Sequence, residues 1–116
     1  MTEPYAVAVR IPLKTVSEAN VRCHWRVKAQ RVKNQRFSVA AALSGKKLPP
    51  LPAVICMTRI GPRKLDSDNL AISFKACRDE VAKAYGIDDG REDMYFWTYA
   101  QQRGPEYGVE ISIVPV

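Results

Sequence analysis

Asp66-Ser67-Asp68-Asn69-Leu70 sets two carboxylates one residue apart, and Ile87-Asp88-Asp89 sets a second pair about twenty residues later. Carboxylate oxygens are the ligands that hard divalent cations take, with water and substrate phosphate completing the shell. Such an ion polarises a phosphoryl oxygen and lowers the pKa of a bound water, making that water a nucleophile. Asp66, Asp68, Asp88 and Asp89 are therefore candidate ligands for Mg²⁺ or Mn²⁺. The same residues have a structural use. Aspartates at a strand-to-helix junction cap the helix and suit its positive dipole end, and Asp88-Asp89-Gly90 also reads as a plain turn. Spacing alone leaves the two readings even.

The charge around the acids shifts that balance. The chain has 116 residues, 18 Lys and Arg against 12 Asp and Glu, and a net charge of +6. From Ala19 to Leu65 every charged residue is basic, whereas acids outnumber bases between Asp66 and Asp93. An acid-free stretch of that length is the electrostatic footprint of a polyanion partner, with nucleic acid as the leading case.

The elements that must position these residues read as strand, helix, strand, helix, hairpin. Tyr5, Val7, Val9 and Ile11 alternate and stop at Pro12, a first strand. Ser17 and Asn20 offer caps to a basic helix from about Val21 to Leu43, which ends at Ser44-Gly45 before a proline-rich connector. Ala53 to Ile60 is a second strand closed by Gly61-Pro62. Asp66 or Asp68 then caps a helix running to about Tyr85, with Leu70, Phe74, Cys77, Val81 and Tyr85 on one face. Gly86 ends it. Met94 to Gln101 and Tyr107 to Val114 are two further strands, joined through Arg103-Gly104-Pro105 as a hairpin. The fold class expected is α+β, a single domain over residues 1–116 with a small mixed sheet of about four strands packed with two helices.

An unbroken helix between the two acidic pairs is an obstacle. About 17 residues make it about 26 Å long, so acids at its two ends cannot meet across its length. Three arrangements avoid this: the chain folds back after Gly86, the helix breaks, or a second subunit supplies one pair.

Asp-x-Asp-Asn-Leu after a basic strand end, a helix, and then an Asp-Asp turn before a strand resembles the RusA family of Holliday junction resolvases. Asn20-Val21-Arg22-Cys23-His24-Trp25-Arg26, opening the basic helix, is similar to the corresponding helix of phage-type members. The resemblance spans nearly the whole chain in order and spacing. It implies a homodimeric, Mg²⁺-dependent endonuclease that recognises four-way DNA junctions and nicks them symmetrically. It also implies that Asp66, Asp68 and Asp89 (or its neighbour Asp88) hold the metal. The family's functional lysine, four residues after the second aspartate, is replaced here by Ile72. Lys75 is two helical turns beyond Asp68 on nearly the same face and is the candidate to stabilise transition-state charge, with Lys64 as a second choice. The replacement also leaves open a catalytically inactive nucleic-acid-binding or regulatory protein.

Arg22, His24, Arg26, Lys28, Arg31, Lys33 and Arg36 on the basic helix, with Arg63 and Lys64 at the strand end, are the candidate DNA contacts. They spread over more than one face, which suits phosphate neutralisation better than base reading. Branched DNA recognised by shape is the partner expected. Trp25 and Trp97 read as core or interface, with base stacking a lesser option. Cys23, Cys56 and Cys77 show no zinc or disulfide spacing and read as reduced thiols. No apolar run approaches the ~20 residues of a membrane span. The N-terminal residues lack a signal-peptide pattern, so the expectation is a cytoplasmic protein of a bacterium or phage-infected cell, without an organic cofactor.

Overall fold

In a computed structural model, residues 6–15 and 25–116 are described. Within them the order is β1 (Val7–Ile11), α1 (Trp25–Leu43), β2 (Ala53–Gly61), α2 (Ser67–Ser73), α3 (Lys75–Tyr85), β3 (Tyr95–Arg103) and β4 (Gly108–Pro115). The strands form one mixed sheet in the order β1-β4-β2-β3. β2 runs parallel to β3 and antiparallel to β4, and β1 is antiparallel to β4. The α+β class and the four-stranded sheet agree with the expectation. Tyr5, Ser17, Asn20, Val21, Arg22, Cys23 and His24 lie outside the described residues.

Strand alternation fixes which side of the sheet the helices cover. Ile55 and Met57 of β2 and Val109, Ile111 and Ile113 of β4 point to one side and are fully buried. They pack there with Val39 and Leu43 of α1, with Leu70 and Phe74, and with Cys77 and Val81 of α3. Burying each such side chain stabilises the fold by about 1.5–3 kcal/mol. Among the described residues, no helix packs on the other side of the sheet. There Val54, Phe96 and Val114 stand in one cross-strand row and are all exposed.

Three expectations are corrected. The last two strands are not a hairpin: β4 pairs with β2 and β1, and β2 separates it from β3. The β2-α2-α3-β3 segment delivers β3 parallel to β2, a connection that needs a helical crossover, and the chain then crosses the end of β2 to reach its other side. That crossing is tight. A side chain at Gly61 would meet the Tyr107 ring at 2.6 Å, and one at Gly104 would meet Ile60 at 2.8 Å. Among the described residues there are three helices rather than two, because the second predicted helix divides at Phe74. Finally, Trp25 is not in the core. Trp25 and Phe37 are 67 % and 74 % exposed: the buried residues of α1, Gln35, Val39 and Leu43, all lie in its C-terminal half, and Phe37, two residues from both Gln35 and Val39, points to the opposite side of the helix.

Gly45 and Gly86 end α1 and α3 in the left-handed conformation at φ 74, which a side chain disfavours. Cys56 and Cys77 are free thiols, as expected. Burial pushes the Cys77 thiol up to about 12.

Candidate functional site

The first acidic pair hangs from the end of β2. The buried Arg59 donates from Nη1 to the carbonyl of Arg63 (2.6 Å) and from Nε to that of Thr15 (3.4 Å), and its guanidinium lies 5.3 Å from the Tyr107 ring. One residue past Lys64, Leu65 is clasped by the side-chain amide of Gln101 on β3. Its N–H donates to Oε1 (2.8 Å) and its carbonyl accepts from Nε2 (2.7 Å). Asp66 follows at the N-cap position of α2 in extended geometry, φ −61 and ψ 156, and its carboxylate makes no capping hydrogen bond. Asp66, Asp68, Arg63 and Lys64 are exposed. Asp66 thus stands at the helix start, and Asp68 in the first turn, where the dipole favours an acid, but Asp66 does not cap the helix through its side chain.

α2 ends after two turns. Phe74, at φ −95 and ψ 5, falls outside helical geometry. Its ring is fully buried and stacks on Tyr99 with centroids 5.7 Å apart and planes at 13°. α3 restarts at Lys75. After Gly86 the chain turns back instead of running on. Tyr95 Oη donates to the Ile87 carbonyl (2.7 Å), and Trp97 Nε1 donates to the Asp89 carbonyl (3.0 Å). The Gly90 N–H donates to Asp88 Oδ1 at 3.1 Å. That bond, followed by contact with Asp89, holds the Asp88 carboxyl below its ordinary range.

Two of the three ways around the length of the helix are therefore used within one chain: the helix breaks and the chain folds back. The two acidic segments are anchored on the same face of β3, one at Gln101 and one at Trp97. Four strand residues separate these anchors by about 13 Å, half the span of an unbroken helix.

The fold-back brings Asp89 against the start of α3. Its Oδ2 accepts from Lys75 Nζ at 3.4 Å and pairs with Arg78 Nη2 at 3.3 Å. Lys75 also donates to Asp79 Oδ1 at 2.8 Å, and this bond is the main reason its pKa is raised. Arg78 donates from Nη1 to Tyr99 Oη (3.0 Å) and lies over the Trp97 ring at 4.8 Å. Lys75 and Asp89, both candidates from the sequence, are thus in contact. Arg78, Tyr99 and Gln101 were not singled out. Their signal was available: Arg78 is one turn beyond Lys75, and Gln101 continues the alternation of Trp97 and Tyr99.

Among the described residues, no three acidic, histidine or cysteine side chains converge closely enough to hold an ion as they stand. The donor chemistry does fit a hard divalent cation: Asp66, Asp68, Asp88 and Asp89 offer only carboxylate oxygens. Asp89 enters such a set already bridged to two cations.

The basic residues of α1 divide by face. Lys28, Lys33 and Arg36 line a groove against α3, and Arg36 Nε pairs with the buried Glu80 at 3.6 Å. Arg26 lies 5.3 Å from the Trp25 ring, and Arg31, four residues before the buried Gln35, is half-buried. Arg22 and His24 fall outside the described residues. No helix among the described residues is long and apolar enough to cross a membrane. No protein-family model matches this chain, and no curated protein matches it.

Proposed function

We propose that this protein is a Mg²⁺- or Mn²⁺-dependent endonuclease that nicks Holliday junctions or other branched DNA, in the manner of the RusA family it resembles. The supporting observation is the return of the Asp88-Asp89 turn along α3. It brings Asp89 to Lys75 and anchors the turn on the strand that also anchors the segment before Asp66. Asp66, Asp68 and Asp89 are the proposed ligands, with Asp88 the alternative to Asp89. A bound divalent ion supplies Lewis-acid polarisation of a phosphoryl oxygen and acidifies a water. Lys75, kept cationic by Asp79 and Asp89, carries the role of countering negative charge at the scissile phosphate. Arg78 orients the Asp89 carboxylate and is itself held by Tyr99 and Trp97. The basic side chains of α1, with Arg63 and Lys64, hold backbone phosphates. For the homodimer, support comes from the exposed row of Val54, Phe96 and Val114 on the sheet face away from the described helices.

The test is incubation with a four-way junction and with linear duplex, in Mg²⁺ or EDTA, beside Asp68→Asn. The expected outcome is paired nicking of the junction, lost in EDTA and reduced at least about a hundredfold by the substitution, since even the outer-shell partners of metal ligands cost about 10–100-fold. Absence of salt-sensitive DNA binding would sink the reading. A second reading has its own observation. Ile72, four residues past Asp68, is 45 % exposed where the resemblance expects a lysine. Tight junction binding with no cleavage in any metal would make this chain a non-catalytic junction-binding or regulatory protein.

A further inference from the structure

Between α1 and α3 lies a groove of about 850 Å³ whose lining includes Trp25, Val32, Phe37 and Ala40 together with Lys28, Lys33, Arg36 and Lys83. An isolated exposed aromatic is ordinary on a protein surface. Two in one groove, joined by smaller apolar side chains, form a patch that calls for an occupant. The charge on the rim identifies it: four cations face one carboxylate, Glu80, which is buried and already paired with Arg36. The cations come from both helices, so they flank the apolar floor.

A ligand complementary to this surface carries regular negative charge along one edge and flat apolar faces along the other. Single-stranded nucleic acid has that form, because its bases are free to stack on aromatic rings. Duplex does not, because its bases are already stacked on one another. Twelve helical residues put Trp25 and Phe37 about 18 Å apart along α1, a span of a few nucleotides of an extended single strand. The groove also continues towards the acids. Arg36 and Lys83 line a second cleft of about 380 Å³ that reaches Asp79, Asp88 and Asp89.

We propose that this groove binds an unpaired strand of nucleic acid, with bases stacked on Trp25 and Phe37 and phosphates held by Lys28, Lys33, Arg36 and Lys83. The proposal rests on the nucleic-acid reading above and adds the form of the strand: a stretch freed from pairing at a branch, led towards the Asp88-Asp89 turn.

The experiment measures binding in EDTA, so that cleavage plays no part. Oligothymidylate and blunt duplex of equal length are titrated against the protein and against Trp25→Ala, Phe37→Ala and the double variant, all checked for folding by circular dichroism. The result expected is oligothymidylate bound at least about tenfold tighter than duplex, with each substitution costing about tenfold. Unchanged oligothymidylate affinity in the double variant overturns the groove. So does junction binding and nicking by a protein that prefers duplex to oligothymidylate, which leaves the nuclease reading standing. Tight oligothymidylate binding lost in the double variant, in a protein that never cuts a junction, supports the groove while the nuclease reading falls. If the double variant instead splits a dimer into monomers and leaves DNA binding unchanged, a second copy fills the groove and the proposal is overturned.

Discussion

Cations serve two different ends in this molecule. Beside the Asp88-Asp89 turn, Lys75 and Arg78 are consumed internally, by Asp79, Asp89, Tyr99 and the Trp97 face. In the groove of α1, four cations share one carboxylate and two exposed aromatic rings. The first arrangement fixes geometry, since each charge has a counter-charge or ring that sets where it points. The second stores attraction for something outside the chain. Stability should therefore depend on Arg78 and strand binding on the groove cations, while Lys75, paired but 65 % exposed, stays open to a phosphate.

Six substitutions test these two regions, beginning with the largest effect. Phe74→Ala removes the ring around which α2 and α3 part, and should cost about 3–5 kcal/mol in urea unfolding. A loss below about 1 kcal/mol would mean that the ring does not hold the break. Arg78→Met keeps much of the stem but leaves Asp89 with Lys75 alone and takes the Arg78 donor from Tyr99 Oη, and should cost about 1–3 kcal/mol. A cycle with Asp89→Asn should return a coupling of at least about 0.5 kcal/mol; additive losses would show that the pair does not act as one.

Ile72→Lys adds a cation one turn past Asp68 and should raise junction cleavage about tenfold, equivalent to about 1.4 kcal/mol of barrier. An unchanged rate would show that nothing at this position limits catalysis. Smallest of all, Lys28→Ala and Lys33→Ala should leave stability within about 0.5 kcal/mol. They should still reduce the salt dependence of single-strand binding, by about 0.7 in log-log slope for each lysine. Destabilisation beyond 1 kcal/mol would place these lysines with the internally paired set.

What the sequence made legible followed local chemistry. Alternation gave the strands, and Gly45, Gly86 and the prolines gave their limits and those of the helices. The acids and Lys75 stood out by type and spacing. The break at Phe74 was hidden because Leu70, Phe74, Cys77, Val81 and Tyr85 keep helical spacing straight through it. The ring that Phe74 stacks on at the break is Tyr99 on β3, twenty-five positions away. The turn residues at Arg103-Gly104-Pro105 signal a change of direction equally well for a hairpin and for a crossing, so strand order could not be read from them. Exposure of Trp25 depends on how far along α1 the packing extends, which helical periodicity does not encode, whereas Phe37 is exposed because it lies opposite the buried Gln35 and Val39.

Clasping both acidic segments to one face of β3 makes that strand a ruler. The interval between the two carboxylate pairs is counted in strand residues, from Trp97 to Gln101, and not in turns of helix. The segment after Gly86 is tied to the same strand, through Ile87 to Tyr95 and through Asp89 to Trp97. A single residue inserted between Trp97 and Gln101 turns one anchor to the opposite face of the sheet and parts the two acidic segments.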